Sequence, residues 1–178
     1  MPRFVALLRG VNVGKAKRVP MAELRELLTA LGYRDVRTLL NSGNAVFESA
    51  GRSTAAHASR IQIAIAKTLH VDVPVIVKSS ADIAAIRQEN ALASIATEPS
   101  RRLVAFTATA ADLNALAVLT PLISPRERFL LGKHGAYLWC PDGILKSRAA
   151  EALLGKVGRR ATTRNWATVT KISALLHK

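Results

Sequence analysis

Val5, Ala6, Leu7 and Leu8 form an unbroken apolar run almost at the start of the chain, and it restricts the fold more than any other feature. The run is too short for a helix and lacks the alternation of a half-buried strand. It therefore predicts a strand, Phe4 to Leu8, enclosed on both faces. The next stretch is different in kind: Gly10-Val-Asn-Val-Gly14-Lys15-Ala-Lys17-Arg18, a loop of glycine, asparagine and positive charge. The glycines let the backbone turn tightly or approach something closely. Arg9, Lys15, Lys17 and Arg18 set four cations around that turn, and the first twenty residues contain no acid.

Pro20 opens a helix in which Met21, Leu24, Leu27, Leu28 and Leu31 follow helical spacing, and Gly32 ends it. Val36–Leu40 and Ala45–Glu48 read as strands joined by the turn Asn41-Ser42-Gly43-Asn44. A helix over about Thr54–Leu69 carries Ile61, Ile65 and Leu69 on one face. Val73–Val77 is a further strand, and Pro74 near its start places it at a sheet edge. This is β-α-β-β-α-β, the split βαβ order of ferredoxin-like folds.

After a helix near Ala81–Asn90 and a polar loop, the order begins again. Arg102–Phe106 reads as a strand, Thr109 and Asp112 as a capping box, and Phe129–Leu131 with Ala136–Trp139 as a hairpin around Gly132-Lys133-His134-Gly135. Helices near Ser147–Leu154 and Arg164–Leu176 close the chain, leaving β-α-β-β-α with no obvious last strand. The expected architecture is therefore α+β: a ferredoxin-like subdomain over 1–80 and a similar, partial βαββα subdomain over 81–178. The two are expected to pack as one unit.

With 178 residues, 49% of them hydrophobic, the chain can bury a core. No apolar run approaches the ~20 residues of a membrane span, and the start lacks the pattern of a signal peptide. Cys140 is alone, so neither a disulfide framework nor a thiolate zinc site is available, and a reducing cytoplasm is the expected location. The net charge of +14 is uneven. The first twenty residues hold five cations and no acid. Residues 146–178 hold eight cations against Glu151 alone. Segregation of this kind fits a basic face for an anionic partner, and it also fits a solvated Arg-rich surface.

Gly10 to Lys15 after a strand invites comparison with a phosphate-binding P-loop, but three residues separate the glycines instead of four. Ala16 stands where a magnesium-binding hydroxyl belongs. Nucleotide hydrolysis is thus not expected, although freed amides and Lys15 can still meet a phosphate. Asn41-Ser42-Gly43-Asn44 is explained by a hairpin turn, and no histidine or acid sits at a spacing that would activate Ser42. His57, His70, His134 and His177 are scattered and lack metal-ligand spacing. In Ala161–Lys171 the reading has Thr162 or Thr163 capping the last helix, with Trp166, Val169 and Ile172 on its core face. Arg164, Asn165 and Lys171 then mark a helix start suited to anions, as does Lys146-Ser147-Arg148 at the helix before it.

The opening FVALLRGVNVGKAKRVPMAELRELLTALGYRDVRTLLNSGNAVF, the closing ATTRNWATVTKI, and YLWCPDGILKSR between them resemble the bacterial family called domain of unknown function 1697. Ala50 to Arg101 matches by pattern only. The resemblance implies a compact α+β protein of two similar ferredoxin-like subdomains, and it brings no activity, cofactor or catalytic residue with it.

The residues favour a binder of an anionic partner: a nucleic acid, a nucleotide or another phosphate-bearing ligand. Its candidate contacts are Arg9, Asn12, Gly14, Lys15, Lys17, Arg18, Lys146, Ser147, Arg148, Thr163, Arg164, Asn165 and Lys171. No cofactor, metal or membrane contact is expected, and the oligomeric state is left open. The alternatives are an enzyme of a small phosphorylated or carboxylated substrate, with Asn12, Ser42, Asn44 and Asn165 as polar contacts, or a structural, self-associating module.

Overall fold

The computed structural model describes residues 1–95 and 97–178. The chain enters through β1 (Arg3–Leu8), whose residues from Phe4 onward are all buried, as an unbroken apolar run requires. Helix α1 (Met21–Ala30) starts after Pro20 and turns Leu24, Leu27 and Leu28 inward. Gly32 ends it at φ +90°, donating its N–H to the Thr29 carbonyl. β2 (Arg34–Leu39) and β3 (Asn44–Glu48) form the expected hairpin. Helix α2 (Thr54–Leu69) is capped by Ser53, whose Oγ accepts the Ala56 amide at 3.1 Å. β4 (Val75–Ser79) and α3 (Ser80–Glu89) follow.

The first sheet runs β2-β3-β1-β4, and every neighbouring pair is antiparallel. β4 lies at an edge, but it runs two residues later than the expected Val73–Val77, so Pro74 stands just before the strand and not within it. Phe4, Ala6, Leu8, Ala45, Phe47, Val75 and Val77 share a core with Leu24, Leu28, Ile61 and Ile65 of the two helices. His57 belongs to that core, its ring against Phe4, Tyr33 and Phe47. Its Nε2 lies 2.9 Å from the Gly51 carbonyl, which can only accept, so Nε2 carries the hydrogen and Nδ1 accepts from the Tyr33 hydroxyl.

The second half begins with short 3₁₀ segments at Ala91–Ser94 and Pro99–Arg101, then β5 (Arg102–Thr107). Helix α4 (Ala110–Asn114), capped by Thr109, runs into a 3₁₀ stretch over Ala115–Leu122. β6 (Arg128–Leu131), β7 (Ala136–Trp139), α5 (Arg148–Leu154), β8 (Ala161–Asn165) and α6 (Trp166–Leu176) complete the chain. The second sheet runs β6-β7-β5-β8, again antiparallel throughout. This is the order of the first sheet, strand for strand.

The second half is therefore a whole βαββαβ and not the partial βαββα that the sequence suggests. β8 is the missing strand, and it pairs with β5 from Leu103↔Asn165 to Thr107↔Ala161. Its sequence, Ala-Thr-Thr-Arg-Asn, holds one apolar residue, so hydrophobic alternation cannot announce it. Thr162 and Arg164 are nonetheless buried. α6 accordingly begins at Trp166, and its cap is Asn165, whose Oδ1 accepts the Thr168 amide at 2.9 Å, instead of Thr162 or Thr163. Val169, Ile172 and Leu176 are buried as a helical stripe, whereas Trp166 is half-buried, with the Arg102 guanidinium over its ring at 5.7 Å.

By contact the chain divides into Met1–Ala81 with Ile172–Lys178, and Asp82–Lys171. Among the described residues no helix is long and apolar enough to cross a membrane.

Candidate anion-binding site

The loop after β1 is a braced finger. Its two ends are pinned by Val11 and Val19, both buried. Between them Asn12 takes φ +56° and closes the neck, its backbone N–H reaching the Lys17 carbonyl at 3.1 Å. Its side chain does more: Nδ2 donates to the carbonyls of Val19 and Asn41, each at 2.8 Å, and Oδ1 accepts the Val19 amide at 2.9 Å. One amide thus satisfies three backbone groups and ties the finger to the turn between β2 and β3. Asparagine is suited to this place because it tolerates positive φ while its short side chain bonds the local backbone.

The same turn is locked from below. Gly43 sits at φ +87°, and its carbonyl accepts the Leu8 amide at 2.9 Å. A Cβ there would lie 2.7 Å from Leu8 Cβ and Val11 Cγ2, so only glycine fits. Out of this frame Val13, Gly14, Lys15, Ala16, Lys17 and Arg18 project into solvent, with Val13 and Ala16 bridged across the tip. None of the ion pairs among the described residues involves Lys15, Lys17 or Arg18. Arg9 is half-buried at the base, its amide on the Pro74 carbonyl. Arg9, Asn12, Gly14, Lys15, Lys17 and Arg18 therefore share one structural feature, with Asn12 as its brace.

The remaining predicted residues lie in the second unit, on separate elements. Lys146 and Arg148 are exposed on either side of Ser147. Ser147 is buried as the cap of α5, its Oγ accepting the Ala150 amide at 3.0 Å. Thr163 and Asn165 are half-buried on β8, and Lys171 is exposed on α6. Arg164 is not a surface cation at a helix start. It is 7% exposed, and its Nη1 donates to Thr162 Oγ1 and to the Thr163 carbonyl. Burial lowers its guanidinium to about 10, still charged near neutral pH.

Asn12, Asn44 and Asn165, three of the four polar residues that an enzyme reading would need, are spent on the backbone. Asn44 is fully buried, with Nδ2 on the Leu39 carbonyl and on Ser42 Oγ. Asn12 braces the finger and Asn165 caps α6. Cys140 is buried, and burial pushes its thiol up to about 11, so it offers no thiolate near neutral pH. Among the described residues no group of three or more His, Cys, Asp or Glu side chains is placed to hold a metal ion. Every aromatic side chain is buried or half-buried, so none is displayed for stacking on a base.

The family model described as a protein of unknown function, DUF1697, matches residues 1–137. The chain belongs to that family. The match takes in the finger and its frame. It stops after the β6–β7 hairpin begins, so α5, β8 and α6 lie beyond it. Among solved structures the chain is similar to the conserved bacterial protein SP0830 from Streptococcus pneumoniae, at 29% identity over 98% of both chains, with a TM-score of 0.81. No curated protein matches.

Lys156, Arg159 and Arg160 belong, in sequence, to the basic tail and to none of the candidate contacts above. They follow one another on the turn between α5 and β8. Gly-Lys-Val-Gly-Arg-Arg at 155–160 is the available signal, a glycine-punctuated cluster of cations, and it looks like any solvated basic loop until its neighbours are known.

Proposed function

We propose that this member of the family binds a nucleic acid through its sugar-phosphate backbone, using the finger after β1. The observation that carries the reading is the finger itself. Lys15, Lys17 and Arg18 are exposed on a loop that Asn12 and Gly43 hold in one conformation, so little ordering entropy is lost when an anion docks. The absence of exposed aromatic rings among the described residues directs the reading to the backbone and away from bases, which makes binding electrostatic and independent of sequence.

Fluorescence polarisation with labelled single- and double-stranded oligonucleotides tests this. Affinity should fall with salt, with a slope of about two to three if three cations each meet a phosphate. The variant Lys15→Ala/Lys17→Ala/Arg18→Ala should lose most of that dependence while keeping its melting temperature. Absence of binding at low salt, or an unchanged triple variant, would overturn the reading.

A further inference from the structure

The turn between α5 and β8 carries a second, separate site. Gly155 donates its N–H to the Ala152 carbonyl, Arg159 to that of Lys156 at 3.3 Å, and Ala161 to that of Gly158 at 2.9 Å. Gly158 is packed so tightly under α5 that a Cβ would lie 1.7 Å from the Leu153 carbonyl oxygen. The turn is therefore folded hard against the helix end. Its cationic side chains leave from one side, onto a cavity of about 360 Å³.

That cavity is lined by Lys156, Arg159 and Arg160 around a floor that includes Leu116 and Val157, with Asp112 as its one acid. Three cations against one carboxylate make an electropositive hollow. The ion pair between Arg160 and Asp112 spans 3.9 Å, and the Arg160 side chain is 72% exposed, so a phosphate can claim that guanidinium at little cost. A plainer reason for basic residues here is the negative end of α5. That attraction is weak for exposed side chains, and it does not account for the hollow. A further concavity, between α1 and β2, is lined by one cation, Arg25, and one acid, Glu26, and has no such imbalance.

We propose that this cavity binds a small phosphate monoester with a hydroxylated body, of the size of a mononucleotide or a pentose phosphate. Arg159, Arg160 and Lys156 grip the phosphate, and guanidinium forks suit its geometry. Asp112, 3.9 Å from Arg160, stands beside the phosphate grip and accepts hydrogen bonds from the hydroxyl groups next to it. The exposed Ala115 and Val157 cover the apolar face of the ligand. The volume stands at the low end of the range for ligand cavities, about 300–1,000 Å³, which suits a small ligand. The site is independent of the finger, and its variants separate the two.

Isothermal titration calorimetry of the whole protein with AMP, ribose 5-phosphate and inorganic phosphate tests the proposal. AMP or ribose 5-phosphate should bind saturably and more tightly than inorganic phosphate. Lys156→Ala/Arg160→Ala should weaken binding at least about tenfold, the effect of losing one charge-assisted contact. Asp112→Asn should weaken the two esters while inorganic phosphate binds no less tightly, because Arg160 loses its ion-pair partner. The finger variant Lys15→Ala/Lys17→Ala/Arg18→Ala should titrate like the parent. Failure of both esters to bind would overturn the proposal. So would inorganic phosphate binding as tightly as the esters, or a loss that follows the finger variant instead of the cavity variant.

Discussion

Glu89, the last residue of α3, is held by a nest of backbone amides, and removing its carboxylate should show how much that grip contributes. The turn between β6 and β7 presents three successive N–H groups, from Lys133, His134 and Gly135, to the Glu89 oxygens. The hydroxyl of Tyr137 lies 2.7 Å from Oε2 and 3.0 Å from the Ile86 carbonyl. A Cβ on Gly132 would come within 2.3 Å of Oε2, so the carboxylate fills its place completely. Lys133 and His134 are exposed, and water would satisfy their amides once the carboxylate is gone. Gly135 and Tyr137 are buried, and Tyr137 keeps the Ile86 carbonyl as a second partner. With hydrogen bonds to a charge worth about 1.5–3 kcal/mol each, Glu89→Ala should cost about 2–3 kcal/mol and Glu89→Gln somewhat less.

The pH dependence gives the sharper test. Burial raises the Glu89 carboxyl, but hydrogen bonds from Tyr137 and from the amides of His134, Lys133 and Gly135 outweigh it and hold the group below its ordinary 4.5. The folded state therefore favours the charged form more than the unfolded chain does. The resulting stability is fully present above the ordinary value and is lost as pH falls through the lower folded one. Urea denaturation followed by circular dichroism should show a gap between the parent and Glu89→Gln that is constant from near pH 7 to about pH 5.5. The gap should narrow below about pH 4. A gap that does not change with pH, or an alanine variant losing less than about 0.5 kcal/mol, would refute the account.

Asn12→Ala should cost about 1–3 kcal/mol, because the Val19 amide loses its acceptor and the Val19 and Asn41 carbonyls their donor; limited proteolysis should then cut between residues 13 and 18. Gly43→Ala should be worse than its size suggests, since the new methyl meets Leu8 and Val11 at a positive φ, and its melting temperature should fall by several degrees. Trp166→Ala should cost about 2–3 kcal/mol, below the cost of a fully buried tryptophan, because the ring is half-buried and loses chiefly its contact with Arg102; denaturation midpoints measure it. A disulfide reagent at about pH 8 should leave Cys140 unmodified until the protein is unfolded in guanidinium, given its burial and a thiol at about 11.

The elements legible in the sequence are those whose own residues carry a period or a punctuation. Leu24, Leu27 and Leu28 announce α1, Pro20 and Gly32 bound it, and the spacing of Ile61, Ile65 and Leu69 announces α2. β8 is illegible for the converse reason. Its inward side is filled by a threonine and an arginine, and a pattern of polar residues ahead of a helix looks like capping chemistry. The site shows the same division. The finger is visible as glycine and charge, but Asn12 looks like a ligand contact because its three backbone partners, at Val19 and Asn41, are seven and twenty-nine residues away. The cavity cations cannot be grouped by sequence with Asp112, which lies over forty positions earlier on α4.

A net charge of +14 gives no indication of which cations are available to a ligand, and their placement divides them. Arg3 is tied to Asp35, Glu48 and the Leu175 carbonyl and welds β1 to its surroundings. Arg102 is buried with Nη1 on the Ala93 carbonyl, and Arg164 is buried on β8. These arginines belong to the fold, where their loss would leave acids and carbonyls without donors and would register as stability. Lys15, Lys17 and Arg18, and Lys156 and Arg160, stand instead on two turns that glycine and backbone hydrogen bonds hold in place. Alanine at any of these five should leave stability within about 0.5 kcal/mol of the parent, as for ordinary surface changes, while alanine at Arg3 or Arg164 should not. A pairing of near-neutral stability with lost anion affinity at the two turns, set against the reverse at the buried arginines, is the pattern expected if rigid turns were built to keep charge outside.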